Sequence, residues 1–81
     1  MKTMKITVFG IVQGIFFRKF IEEEARKLRL NGFVRNLEDG NVEIIIEGQD
    51  EPINEMINIA KRVSKHSKIE HIEYNEIKHQ G

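Results

Sequence analysis

The spacing of apolar residues along this chain switches between two periods, and the order of the switches admits few folds. From Met4 to Val8 apolar positions alternate with Lys5 and Thr7, the pattern of a half-buried strand that runs on into Phe9. From Phe17 the spacing lengthens: Phe17, Ile21, Ala25 and Leu28 recur at helical intervals, while Lys19, Glu22, Glu23, Arg26 and Lys27 take the other face. Phe33, Val34 and Leu37 then precede Glu38, Asp39, Gly40 and Asn41, after which Val42, Ile44 and Ile46 alternate with Glu43 and Glu47. This predicts a hairpin of antiparallel strands closed on Asp39-Gly40. Asp50-Glu51-Pro52 is a helix-start signal, with a carboxylate available to cap and a proline tolerated in the first turn. Ile53, Met56, Ile57, Ala60 and Val63 form the stripe behind it, in a helix expected to end near Lys65. Ile69, Ile72, Tyr74 and Ile77 make a last strand, in which Ile69 and Ile72 fall on opposite faces unless a bulge intervenes.

The order is βαββαβ, which predicts an α+β fold of the ferredoxin-like kind: a four-stranded antiparallel sheet with both helices on one face. At 81 residues the whole chain, 1–81, is expected to form one domain. A domain this small buries only about 60% of its unfolded surface, so its core must pack efficiently. With no cysteine there is no disulfide, thiolate metal site or nucleophilic thiol to call on. The 13 basic and 13 acidic side chains cancel, so no global field draws the chain to nucleic acid or to an anionic membrane. No apolar run approaches the roughly 18 residues of a membrane span, and Met1-Lys2-Thr3 leads directly into an alternating pattern where a secretion signal needs an unbroken apolar stretch. The expected location is the cytoplasm.

Any preference for anions must therefore be local, and one segment offers it. G-I-V-Q-G-I-F-F-R, residues 10–18, joins the first strand to the first helix. Glycine at 10 and 14 lets the backbone turn sharply and come close to a ligand, and the first N–H groups of the helix have no intrahelical acceptor. Arg18 adds a planar fork of charged donors. The spacing is not that of a nucleotide-binding phosphate loop, because no lysine and hydroxyl pair follows, so a single small phosphoryl group is the better fit. Taken alone, these residues also suit a tight turn followed by a solvated arginine.

A second motif decides between these readings. G-F-V-R-N at 32–36 and D-G-N-V-E at 39–43 follow the first segment in order, and together they resemble the acylphosphatase family, whose signatures run G-x-V-Q-G-V-x-F-R and G-W-V-R-N-x-x-D-G-x-V-E. The likeness covers nearly the whole chain and weakens after Gly48. It implies an enzyme that hydrolyses the carboxyl–phosphate anhydride of acyl phosphates to carboxylate and inorganic phosphate. It implies that Arg18 holds the phosphoryl group, together with backbone N–H groups of Gln13, Gly14, Ile15, Phe16 and Phe17, and that Asn36 orients the attacking water. Two departures are visible: Phe33 stands where tryptophan is common, and Arg29 where the family usually has the glycine that ends the first helix. That glycine suggests a left-handed residue at position 29; the rival is a helix that runs on, with Asn31 or Gly32 in the left-handed role.

An acyl phosphate is already activated, so the chemistry requires charge neutralisation and a positioned water, not a nucleophilic side chain. No cofactor and no metal are expected. His66, His71 and His79 are too scattered for metal-ligand spacing and read as surface residues. Arg35 should point to the opposite face of its strand from Asn36 and reads as surface or ion-pair material. Two rival functions use the same fold. Acylphosphatase-like modules also form the N-terminal part of a larger carbamoyl-phosphate-handling hydrogenase maturation protein, but a chain starting at Met1 and ending four residues past its last strand reads as free-standing; a monomer is expected. RNA binding by this fold needs exposed aromatics on the first and third strands, where the third presents only Glu43, Ile45 and Glu47. The partners expected are a small acyl phosphate and its product phosphate, with neither nucleic acid nor membrane. Which acyl group is accepted cannot be read.

Overall fold

The alternation that starts at Met4 becomes the middle of a sheet, as the computed structural model of residues 1–10, 15–65 and 69–78 shows. The elements are β1 (Lys2–Gly10), α1 (Ile15–Lys27), β2 (Asn31–Asn36), β3 (Val42–Gly48), α2 (Asp50–Lys65) and β4 (Ile69–Ile77). The four strands lie in the order β2-β3-β1-β4, every neighbouring pair antiparallel. This is the ferredoxin-like α+β arrangement that the order of periods predicts.

Because side chains alternate across a strand, register settles which residues share a face. Met4, Ile6 and Val8 of β1 pair with Ile46, Ile44 and Val42 of β3. All six are buried, and they form one core with Ile21 and Leu30 from the α1 side and with Ile53, Met56, Ile57 and Ile59 of α2. Both helices therefore pack on this face. Ile6, Ile21, Ile44 and Ile53 have no exposed surface, and burying a side chain of that kind is worth about 1.5 to 3 kcal/mol. The stripe predicted for α2 holds, with Ile59 added to it.

Three local features refine the sequence reading. The hairpin is not a two-residue Asp-Gly turn: the Gly40 N–H donates to the Leu37 carbonyl (3.1 Å) and the Leu37 N–H to the Asn41 carbonyl (2.8 Å). Glu38, Asp39 and Gly40 form the loop, and Gly40 takes the positive φ (93°) that this longer turn demands. The β4 pairing shifts between Phe9 and Gly10, where Gly10 pairs with Ile69 and Phe9 with His71. This bulge brings Ile69 into the register parity of Ile72 and removes the conflict between them.

At the end of α1, Arg29 has φ 59°. Its N–H donates to the Arg26 carbonyl (3.0 Å) and the Leu30 N–H to the Ala25 carbonyl (2.9 Å). Those two bonds define a Schellman ending with Arg29 in the left-handed position. Leu30, buried at 8% exposure, follows directly into the core. The expectation carried by the family's glycine therefore holds, although an arginine occupies it.

Candidate functional site

β1 and the β2–β3 hairpin end side by side. Asn36 pairs with Val42 and Val42 with Val8, so the last residue of β2, the first of β3 and the last core residue of β1 form one row across the sheet. Beyond Val8 the chain leaves through Gly10, at φ 134°, a conformation that disfavours any side chain. The Gly10 N–H donates to Asn41 Oδ1 (3.2 Å). This bond ties the start of the connection to α1 to the hairpin that carries Asn36. Asn41 is itself fixed by the turn, its N–H donating to Asp39 Oδ1 (3.1 Å).

Residues 11–14 lie outside the described residues, and with them two of the predicted phosphate-binding positions, Gln13 and Gly14. The chain resumes at Ile15, the first residue of α1, earlier than the apolar stripe suggested. Ile15, Phe16, Phe17 and Arg18 thus make up the first turn, where backbone N–H groups have no intrahelical acceptor and the helix dipole favours an anion. No acidic side chain stands in that turn to compete. Phe17 is half-buried and packs against the core, which fixes the orientation of the turn.

Arg18 is half-buried, and its Nε is shielded from solvent with no hydrogen-bond partner among the described residues. A charged donor left in that state costs free energy unless something accepts from it, and an anion is one acceptor that suits a guanidinium. Asn36 is exposed at the end of β2, on the face of the sheet that the helices cover. The fold therefore brings the α1 first turn and Asn36 to the same end of the sheet.

The other charged residues go elsewhere. Arg35 pairs through the sheet with Glu43, on the face opposite Asn36, and its Nε donates to Glu43 Oε2. Lys5 Nζ lies 3.7 Å from Glu43 Oε1, so two cations flank a carboxylate whose side chain is only 8% exposed. His71 is exposed, 3.2 Å from Glu73 Oε2, with its ring tilted against Phe9 at 5.5 Å between ring centres. His66 and His79 lie outside the described residues. Asn41 is the residue that sequence reasoning missed. Its partner Gly10 is 31 positions away, and no local spacing marks such a pair.

Comparison with known proteins shows the family and the fold. The family model named Acylphosphatase matches residues 4–81. An acylphosphatase of Caldivirga maquilingensis is 50% identical over 60 residues, which is 73% of this chain and 63% of that protein. The crystal structure of the acylphosphatase of Bacillus subtilis superposes with a TM-score of 0.87 at 38% identity, covering 99% of this chain and 89% of that one. The HypF of T. kodakarensis matches with a TM-score of 0.79 at 40% identity; all of this chain is covered, but it corresponds to only 11% of that protein.

Proposed function

The chain is an enzyme of the acylphosphatase family, and from that premise we propose that it cleaves the anhydride bond of small acyl phosphates, releasing a carboxylate and inorganic phosphate. One observation carries the assignment of roles: the unpartnered, solvent-shielded Nε of Arg18 stands in a helix first turn at the end of the sheet where Asn36 also lies. On this reading the phosphoryl oxygens are held by the Arg18 guanidinium and by backbone N–H groups of Gln13, Gly14, Ile15, Phe16 and Phe17. Each well-placed donor of this kind is worth about 3 to 4 kcal/mol of transition-state stabilisation. Asn36 orients the attacking water in line with the departing carboxylate oxygen. Its amide both accepts and donates hydrogen bonds but is no base at neutral pH, so the water's proton passes to an oxygen of the substrate phosphate.

The acyl phosphate is activated enough to need no metal and no covalent intermediate. Residues 1–81 then act as one domain, a monomer working in the cytoplasm without a nucleic-acid partner. The test is phosphate release from benzoyl phosphate in the presence of a chelator, with inorganic phosphate as a competitive inhibitor. Activity lost to chelator and restored by magnesium or zinc would overturn the metal-free reading. Carbamoyl phosphate belongs in the same assay, because the likeness extends to a segment of HypF.

A further inference from the structure

α1 and the edge strand β2 leave a gap between them. The gap is a groove of about 450 Å³, within the roughly 300–1,000 Å³ of small-molecule sites. Ile21 and Ile44, neither with any exposed surface, lie at its base. Ala25 and the exposed Glu22 line it from α1, and Gly32 and Val34 from β2.

One end of the groove reaches Leu30 and Asn31 at the entry of β2, and from the other end its walls run toward the proposed site. Residues 18, 22 and 26 recur every fourth position along α1, and side chains so spaced stand one above another on a helix. Arg18 therefore continues the wall that Glu22 and Arg26 form beside the groove. Gly32, Val34 and Asn36 pair with Ile46, Ile44 and Val42, so Asn36 continues the opposite wall on the same sheet face. Val34 stands about 7 Å along the strand from Asn36, and Glu22 about 6 Å along the helix axis from Arg18.

We propose that this groove is the acyl subsite and that it selects for apolar acyl groups, alkyl chains or aryl rings, over acetyl. The inference rests on the acyl-phosphate reading above. With its phosphoryl group at the α1 first turn, a substrate that extends between the two walls buries its acyl chain against Ala25 and Val34. Glu22, one turn from Arg18, adds a second selection: its carboxylate opposes negative charge on a short acyl group, which ends before Arg26 a further turn along the same wall. Apolar substrates are favoured by contact, and dicarboxylic ones are discouraged by charge.

The experiment compares kcat/KM for acetyl, butyryl, hexanoyl and succinyl phosphates in the native chain, Ala25→Leu and Glu22→Gln. In the native chain kcat/KM should rise about ten-fold or more from acetyl to hexanoyl, a discrimination usual for added methylenes in an apolar pocket, and mainly through KM. Ala25→Leu, which fills the groove, should pull the hexanoyl-to-acetyl ratio back toward one. Glu22→Gln should raise succinyl relative to butyryl phosphate at low salt. A flat series in the native chain, or an Ala25→Leu variant that loses both substrates in proportion, would overturn the subsite. Should Ala25→Leu not fold, the native series and Glu22→Gln still decide. Absence of phosphate release from every acyl phosphate would remove the activity reading and the subsite with it, a result distinct from a flat series.

Discussion

Replacing Arg29 by glycine should stabilise the protein, although it deletes a whole side chain. Arg29 sits at φ 59°, and for a residue with a Cβ the left-handed region costs about 1 to 2 kcal/mol. Two effects oppose the gain. Glycine is freer in the unfolded chain, an offset of about 0.4 to 1 kcal/mol, and a cation beyond the last turn of a helix is favoured by the dipole by about 0.3 kcal/mol or more. The side chain is exposed, so little packing is lost. The net gain expected is about 0.5 kcal/mol, which moves the midpoint of a domain this size up by about 2 to 4 °C. Arg29→Ala isolates the cause, because alanine removes the charge and keeps the Cβ. Measured by thermal and urea unfolding at high ionic strength, where the dipole term is screened, Arg29→Gly should exceed Arg29→Ala by about 0.5 to 1 kcal/mol. Phosphate release from benzoyl phosphate should be the same in both variants. Equal stabilities for the glycine and alanine variants would refute the strain argument, even with φ positive at that position.

Arg18→Gln should abolish turnover and weaken competitive inhibition by phosphate, whereas Asn36→Ala should abolish turnover and leave the phosphate inhibition constant within about three-fold; equal loss of phosphate affinity in both would contradict the division of roles. Gly32→Ala should destabilise by more than about 3 kcal/mol, beyond the usual cost of an unfavourable φ, since at φ 142° an added Cβ would lie 1.8 Å from the Ile45 carbonyl oxygen; a urea midpoint close to that of the native chain would show that β2 yields easily. Arg35→Ala should cost about 1 kcal/mol by taking one cation from the buried Glu43 carboxylate. Replacing Glu43 by leucine should cost less, because the exposed Lys5 and Arg35 return to water, and urea unfolding of the two variants checks the order.

The elements that were legible are those that bury one face. Met4, Ile6 and Val8, or Ile53, Met56, Ile57 and Ala60, announce themselves because the core takes only one side of each. Where an element begins without an apolar repeat, periodicity has nothing to show. α1 starts at Ile15 because a first turn precedes any recurrence of the stripe, and β2 starts at Asn31-Gly32, residue types that strands disfavour. Arginine has no liking for the left-handed region, so the turn at Arg29 was legible only through the family's glycine. The hairpin reading placed Asp39-Gly40 at the centre of the turn, and composition could not distinguish that from the three-residue loop that forms. Arg18 and Asn36 stand out by motif; the groove does not, because its walls, 21–26 and 30–34, are brought together only by the packing of α1 on the sheet.

Why the site should lie where it does follows from strand order alone. β3 is the neighbour of both β1 and β2, and each pairing is antiparallel. The exit of β1 must therefore stand beside the entry of β3, and hence beside the β2–β3 turn. A chain wound in this order sets the β1–α1 connection against the hairpin whatever side chains they carry, and Asn41 Oδ1 to Gly10 N–H is the bond that such closeness permits. The same winding sends the end of α1, with Arg29, to the opposite end of the sheet, near the entry of β2. Strain at Arg29 can therefore be relieved without touching the proposed anion-binding turn, whereas loosening of the Gly10–Asn41 bond acts on the entry to the loop itself. An Asn41→Ala variant should accordingly weaken phosphate inhibition along with stability, in contrast to Arg29→Gly, and a loss of stability with phosphate inhibition untouched would show that the tie serves the hairpin alone.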